Sequence, residues 1–325
     1  MKTDDTRSAM AEVPFRAGHV ALCGRPNVGK STLLNALVGS ELAVATEFPQ
    51  TTRERLLGVW TGEGFQAVLV DTPGIHRAKS ALNRFMVDEA LRGARSVDLI
   101  LLLAEAPIVA DAEAAEAWEP GPGATAALTA LVETGRPIAL VLTKCDRLRD
   151  KGLLLPILRK WSSSHAFTAL LPVSAITGDG LDQLRAHVAA QLPESPPIFD
   201  PEDLSDRAIR WHAGERVRAA LFANLRDELP YSCAVTIESF KEQRNPPKDI
   251  IRASIHVERE SQKPMVIGKG GQVIKAISIA ARRAIAELTG RPCDLYLEVK
   301  VTPNWTRDPA LMERLGLHAP VGGAS

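Results

Sequence analysis

Residues 24–31 read Gly-Arg-Pro-Asn-Val-Gly-Lys-Ser, directly after an apolar run (His19–Cys23) and at the head of a helical pattern. A G-x-x-x-x-G-K-S run in that position ties the chain to a strand, a tight turn and a helix in succession. Its glycines let the backbone curl until successive N–H groups face one point, and the helix N-terminus adds its dipole. The two together cradle phosphates. On this reading Gly24, Arg25, Pro26, Asn27, Val28 and Gly29 form the cradle. Lys30 reaches the β- and γ-phosphates, and Ser31, followed by Thr32, brings a hydroxyl to Mg²⁺.

From His19 onward, short β-branched runs alternate with helical patterns. This predicts an α/β domain, a mostly parallel sheet with helices on both faces. Strands are expected at His19–Cys23, Leu56–Thr61, Phe65–Val70, Leu99–Leu103, Ile138–Leu142 and Leu170–Val173. Helices are expected near Ser31–Val38, Ala81–Arg95, Thr125–Thr134, Lys151–Ser163 and Leu181–Leu192. The acidic, Ala-rich stretch 105–123 is broken by Pro and Gly and reads as an exposed loop or frayed helix. The Pro-rich acidic segment Leu192–Asp203 ends the βαβ rhythm and reads as a linker. Beyond it the pattern becomes helix (Asp206–Glu228), strands (Ser232–Phe240 and Asp249–Glu258), a glycine turn, helix (Gln272–Leu288) and strand (Asp294–Val301), an α+β domain. A length of 325 residues suits two cores better than one. The expected division is 1–16 disordered, 17–195 first domain, 196–204 linker, 205–310 second domain and 311–325 tail.

Charge separates the halves in the same place. Residues 1–204 hold 20 Lys and Arg against 25 Asp and Glu, a balance of −5, whereas 205–325 hold 19 against 14, a balance of +5. Only the second half therefore suits a polyanion. Cys23, Cys145, Cys233 and Cys293 are scattered without C-x-x-C spacing, which favours reduced thiols over a metal site or disulfide framework. The N-terminal 18 residues lack an apolar core of signal-peptide type, and Leu99–Ala104 is far too short to span a bilayer. A cytoplasmic protein is expected.

Three further strand ends carry chemistry. Asp71-Thr72-Pro73-Gly74 closes the run AVLVD, placing a carboxylate beside the phosphates for Mg²⁺ and the Gly74 N–H near the γ-phosphate. Thr143-Lys144-Cys145-Asp146 follows IALVL and resembles the Asn-Lys-x-Asp motif of Ras-like GTPases. In that motif the aspartate accepts two hydrogen bonds from the guanine edge, an edge adenine lacks. Thr143 stands where the resemblance expects Asn, so its hydroxyl takes part of the amide's role toward the P-loop and nucleotide affinity is expected to fall. Ser174-Ala175 matches the remaining base-contacting turn. Thr51 and Thr52, in the polar stretch before Leu56, are candidates to close over Mg²⁺ and the γ-phosphate. The resemblance to Thr-Arg pairs in this GTPase branch favours Thr52, and implies Lys30, Thr52 and Gly74 as catalytic. Ile75 stands where Ras-like switches have a water-orienting glutamine; it cannot hydrogen-bond water, so slow intrinsic hydrolysis is expected.

In the second half, Val266-Ile267-Gly268-Lys269-Gly270-Gly271 precedes the helix QVIKAISIAARRAIAEL. A G-x-x-G turn between an apolar segment and a helix resembles the KH signature, which clamps about four nucleotides of single-stranded RNA. Lys275, Arg282 and Arg283 extend the basic face. The turn carries no core packing on this reading, so replacing Gly268 and Gly271 is expected to remove RNA binding without unfolding the domain.

Together GRPNVGKST, PQTTR, DTPGI, TKCD and VIGKGG resemble the Era GTPases, a Ras-like domain followed by a type II KH domain, over residues 17–310. The resemblance implies GTP hydrolysis to GDP with Mg²⁺. It also implies binding near the 3′ end of small-subunit ribosomal RNA, a part in maturation of the small ribosomal subunit and, in some bacteria, peripheral association with the cell membrane; a monomer is expected. The rival readings are a GTPase whose second domain docks a protein and, more weakly, a metabolic P-loop kinase, which needs neither Asp146 nor Ser174.

Overall fold

The computed structural model describes residues 14–43, 56–72, 74–75 and 81–315. The first unit runs β1 (Arg16–Gly24), α1 (Lys30–Val38), β2 (Leu56–Gly62), β3 (Phe65–Asp71), α2 (Ala81–Arg95), β4 (Leu99–Glu105), α3 (Ala112–Ala117), α4 (Pro122–Val132), β5 (Ile138–Thr143), α5 (Leu154–Ser162), β6 (Leu170–Pro172) and α6 (Leu181–Gln191). The strands form one sheet, β2-β3-β1-β4-β5-β6, parallel throughout except for β2 at its edge. Alternate residues of one strand enter opposite cores. Val20 and Leu22 pack with Leu33, Leu34 and Leu184 on the α1/α6 side. Ala21 and Cys23 pack with Ala90, Leu128 and Ile157 on the α2/α4/α5 side. A strand covered on both faces needs apolar residues at every position, which is why these runs are continuous rather than alternating.

The second unit runs α7 (Ile209–Asn224), β7 (Ala234–Gln243), β8 (Lys248–Val257), α8 (Lys263–Ile267), α9 (Gln272–Thr289), β9 (Cys293–Val301) and α10 (Pro309–Arg314). Its sheet is β7-β8-β9, with β7 antiparallel and β9 parallel to the central β8. Val217 and Leu221 of α7 and Ile277, Ala281 and Ile285 of α9 bury one face of that sheet against Ile251, Ile255 and Val299.

Several expectations shift. Stretch 105–123 contains a helix: Asp111 caps α3 by accepting from the Ala114 N–H, and Pro122 starts α4. Arg16, assigned by sequence to the N-terminal segment, already belongs to β1 and pairs with Phe65. Two short helices, α8 and α10, have too few residues to show a period; α10 packs Met312 near the buried Trp305.

The segment read as a linker lies along the first sheet. The buried Gln66 side chain accepts from the backbone N–H groups of Ile198 (2.7 Å) and Phe199 (2.9 Å) and donates to the Phe199 carbonyl (2.9 Å). Further on, the Val59 N–H donates to Leu204 O, and the Leu57 N–H to Asp206 Oδ1, so residues 204–206 line the open edge of β2. Gln66→Ala removes a three-bond clasp that tethers β3 to the passing chain. It is expected to lower unfolding free energy by about 1–3 kcal/mol in urea titrations, with the m-value unchanged.

Candidate nucleotide and RNA sites

The strand ends on one edge of the first sheet hold all the described candidates for the nucleotide site. Gly29 caps α1 in a left-handed conformation (φ 101°), turning the chain from the P-loop into the helix. Lys30 is buried beneath the loop, donating to the carbonyls of Arg25 (3.0 Å) and Gly24 (3.4 Å). Burial lowers its pKa below the ordinary lysine value, and Asp71 opposes the shift. A phosphate at the loop would favour the charged form still more. The Ser31 hydroxyl donates to Asp71 Oδ2 at 2.9 Å, joining the two oxygen donors that sequence singled out for Mg²⁺. A buried carboxylate beside a hydroxyl suits a small hard cation whose other ligands are phosphate and water oxygens. Thr72 is fully buried and donates to Leu22 O (2.8 Å), and under it burial pushes the Cys23 thiol up to about 12.

Gly74 lies against Pro26, where a Cβ would come within 2.7 Å of three proline atoms, so the P-loop tolerates only glycine there. Ile75 donates its N–H to Gly24 O (2.9 Å), while its side chain is buried in the α2-side core. Thr52, Thr51 and Pro73 lie outside the described residues.

Thr143 is buried, with its hydroxyl 2.7 Å from Val28 O and 3.2 Å from Ala104 O. Having one hydrogen, it satisfies one of these two carbonyls at a time. Lys144 takes a left-handed conformation (φ 58°) and donates to Asn27 O (2.9 Å). The Cys145 side chain points inward to Leu142 O, and Asp146 is exposed at the turn. The Cys145 N–H donates to Val173 O, which seats this turn beside Ser174. Ser174 is buried and its hydroxyl accepts from the Thr177 N–H (3.2 Å); Ala175 is partly buried, and Arg25, Asn27 and Thr32 retain exposed surface. Val28 and Cys145 thus contribute backbone to the site and side chains to the core.

In the second unit Gly268 (φ 76°), Gly270 (φ 60°) and Gly271 (φ 76°) all take positive φ, and Gly271 caps α9. A Cβ at Gly268 would meet Val273 Cγ2 at 2.5 Å, whereas at Gly270 and Gly271 nothing lies within 4 Å. Replacing Gly268 therefore strains the domain's own packing, contrary to the expectation that this turn is free of it. The Val266 side chain is core and Ile267 packs against that core, while Lys269, Lys275, Arg282 and Arg283 are exposed. Arg283 forms an ion pair with Glu287. Glu105, missed in the sequence, bonds Lys144 and Arg147; its only sequence signal is a charge closing an apolar strand.

Fold and site together define a P-loop GTPase joined to a KH domain. A family model described as "50S ribosome-binding GTPase" matches residues 19–144, and one described as "KH domain" matches 228–306. The chain is 41% identical to the GTPase Era of Geobacter metallireducens, over 94% of this chain and 99% of that one. It is 38% identical to that of Nitratidesulfovibrio vulgaris, over 95% and 99%. The fold superposes with a TM-score of 0.85 (33% identity, 94% of this chain, 100% of the other) on a crystal structure of Era in complex with MgGDPNP and nucleotides 1506–1542 of 16S ribosomal RNA. A second match, Aquifex aeolicus Era bound to GDP and AlF₄⁻, gives 0.84 at 33% identity over 94% and 100%. The chain belongs to the Era family of GTPases.

Lys30→Ala is expected to cut GTP turnover, measured by phosphate release, at least about 10²–10³-fold while a cooperative thermal transition persists. Ile75→Gln buries an amide in the α2-side core. Calorimetry should show a loss of about 1–3 kcal/mol, and turnover should not rise.

Proposed function

We propose that this chain is a GTP-hydrolysing switch whose KH domain binds small-subunit ribosomal RNA near its 3′ end and so assists maturation of the small ribosomal subunit. The observation that carries the reading is the meeting of Lys30, the Ser31–Asp71 pair and the Asp146 turn on one sheet edge, in a chain that also presents a basic G-x-x-G turn. That the similar Era chain was crystallised with 16S ribosomal RNA supports the choice of RNA.

In this reading the N–H groups of residues 27–31 and the Lys30 ammonium hold the β- and γ-phosphates. Ser31 and Asp71, joined by Thr52, hold Mg²⁺, which offsets the phosphate charge. The Gly74 N–H meets the γ-phosphate, and Asp146 accepts from the guanine N1–H and 2-amino group beside Ser174 and Ala175. The Ile75 side chain is turned into the core, so the attacking water is oriented by other groups and unaided hydrolysis is slow. Residues 17–195 carry this chemistry, 205–310 the RNA contacts, and 196–204 join them.

The exposed Lys269 stands at the turn, with Lys275 and Arg282 on the outward face of α9. Their charges fit a phosphate backbone, and the open space beyond Gly270 and Gly271 admits its close approach. No helix of the described residues is long and apolar enough to cross a membrane. A monomer in the cytoplasm that touches the membrane only peripherally fits this reading.

The test is titration of a labelled RNA ending in the small-subunit 3′ sequence, with GDP and with a non-hydrolysable GTP analogue. The GTP state is expected to bind more tightly by about 1–3 kcal/mol. Lys269→Ala, which leaves Gly268 and its packing intact, should weaken binding and reduce the salt slope by about 1. No binding in either state would instead favour a protein partner for the KH domain.

A further inference from the structure

Glu105 ends β4 and lies opposite Thr143 in the parallel ladder with β5. Its two carboxylate oxygens take different partners: Oε2 is 3.0 Å from Lys144 Nζ, and Oε1 is 2.5 Å from Arg147 Nη1. Lys144 and Arg147 flank Cys145 and Asp146, the residues between them in the short turn that closes β5. One carboxylate on the neighbouring strand thus grips both ends of the turn that presents Asp146. Lys144 also donates to Asn27 O, so the same contact ties the turn to the P-loop.

The turn needs such a hold. Lys144 is a non-glycine residue at φ 58°, a conformation that persists only where the surroundings enforce it. Other bonds seat Cys145, through its N–H to Val173 O and its carbonyl to Lys151 Nζ. They act on Cys145 and not on the Arg147 side chain next to Asp146. Charge-assisted bonds from one carboxylate to two cations add a restraint on Lys144 and Arg147, and through them on the direction in which Asp146 points.

We propose that Glu105 is a positioning residue for guanine recognition: by clamping Lys144 and Arg147 it aims the Asp146 carboxylate at the base. Its part is played through those two side chains. The proposal rests on Asp146 being the base reader, and the test separates the two claims. Glu105 keeps 40% of its side-chain surface, so Glu105→Gln changes charge with little change in packing.

The full-length protein is titrated with GDP, GTP and ITP, whose base lacks the 2-amino group, using wild type, Glu105→Gln, Arg147→Met, the double variant and Asp146→Asn. With thermal transitions unchanged, Glu105→Gln should weaken GDP and GTP about tenfold and ITP markedly less, so that the GTP-to-ITP preference shrinks at least threefold. The double variant should lose little more than Glu105→Gln alone, because the contact that Arg147→Met removes is one of the two that Glu105→Gln already weakens. Equal weakening of GTP and ITP, or no weakening, overturns the positioning role if Asp146→Asn does abolish the preference. A preference untouched by Asp146→Asn overturns the base-reader assignment, and the Glu105 proposal with it.

Discussion

The parallel ladders of β1 with β3 and β4 are the constraint on which the rest depends. Their register sets Leu22 beside Asp71 and Gly24 beside Leu103, and the next ladder sets Thr143 beside Glu105. Parallel strands begin at one edge of a sheet and end at the other, so each C-terminal residue meets the others on one rim. The P-loop, Asp71 and the turn of residues 143–146 are far apart in sequence, yet they become neighbours once β1 lies between β3 and β4. A slip of one residue would turn every apolar side chain to the wrong core and also part Ser31 from Asp71.

Much of this was legible in the sequence because it depended on local pattern. The continuous apolar runs located all six strands of the first sheet, and α2 has the limits its periodicity gives. The P-loop was legible because glycine, lysine and serine at that spacing have one compatible geometry. Less visible was whatever depends on contacts between distant residues. Gln66 reads as an ordinary polar residue in a strand; besides its bond to the Thr61 hydroxyl, its amide is partnered by the passing Ile198–Phe199 backbone, which no local pattern announces. Glu105 is equally plain until β5 places Lys144 and Arg147 within its reach. Gly268 looked like a residue reserved for ligand approach because nothing in the sequence brings Val273 against it; the turn from α8 into α9 does so.

Thr143 shows how a departure from a motif is absorbed. The resemblance expects an amide with two N–H donors, and the hydroxyl has one. It still reaches the Val28 carbonyl at 2.7 Å, so a bond joins the end of β5 to the P-loop. What changes is the Ala104 carbonyl, 3.2 Å away, which shares that single hydrogen. The fold does not depend on how that hydrogen is shared, since β4 and β5 are already joined along their length.

The course of residues 198–206 bears on how the molecule can be divided. A cut at residue 195 removes the chain that fills the Gln66 amide and strips Leu204–Asp206 from β2. The fragment left behind presents a bare antiparallel edge of seven residues, Leu56–Gly62, with N–H and C=O groups open to any passing strand. Such an edge recruits copies of itself, and the half that carries the GTP chemistry becomes adhesive when severed there. Severed beyond Asp206, it keeps its own selvedge.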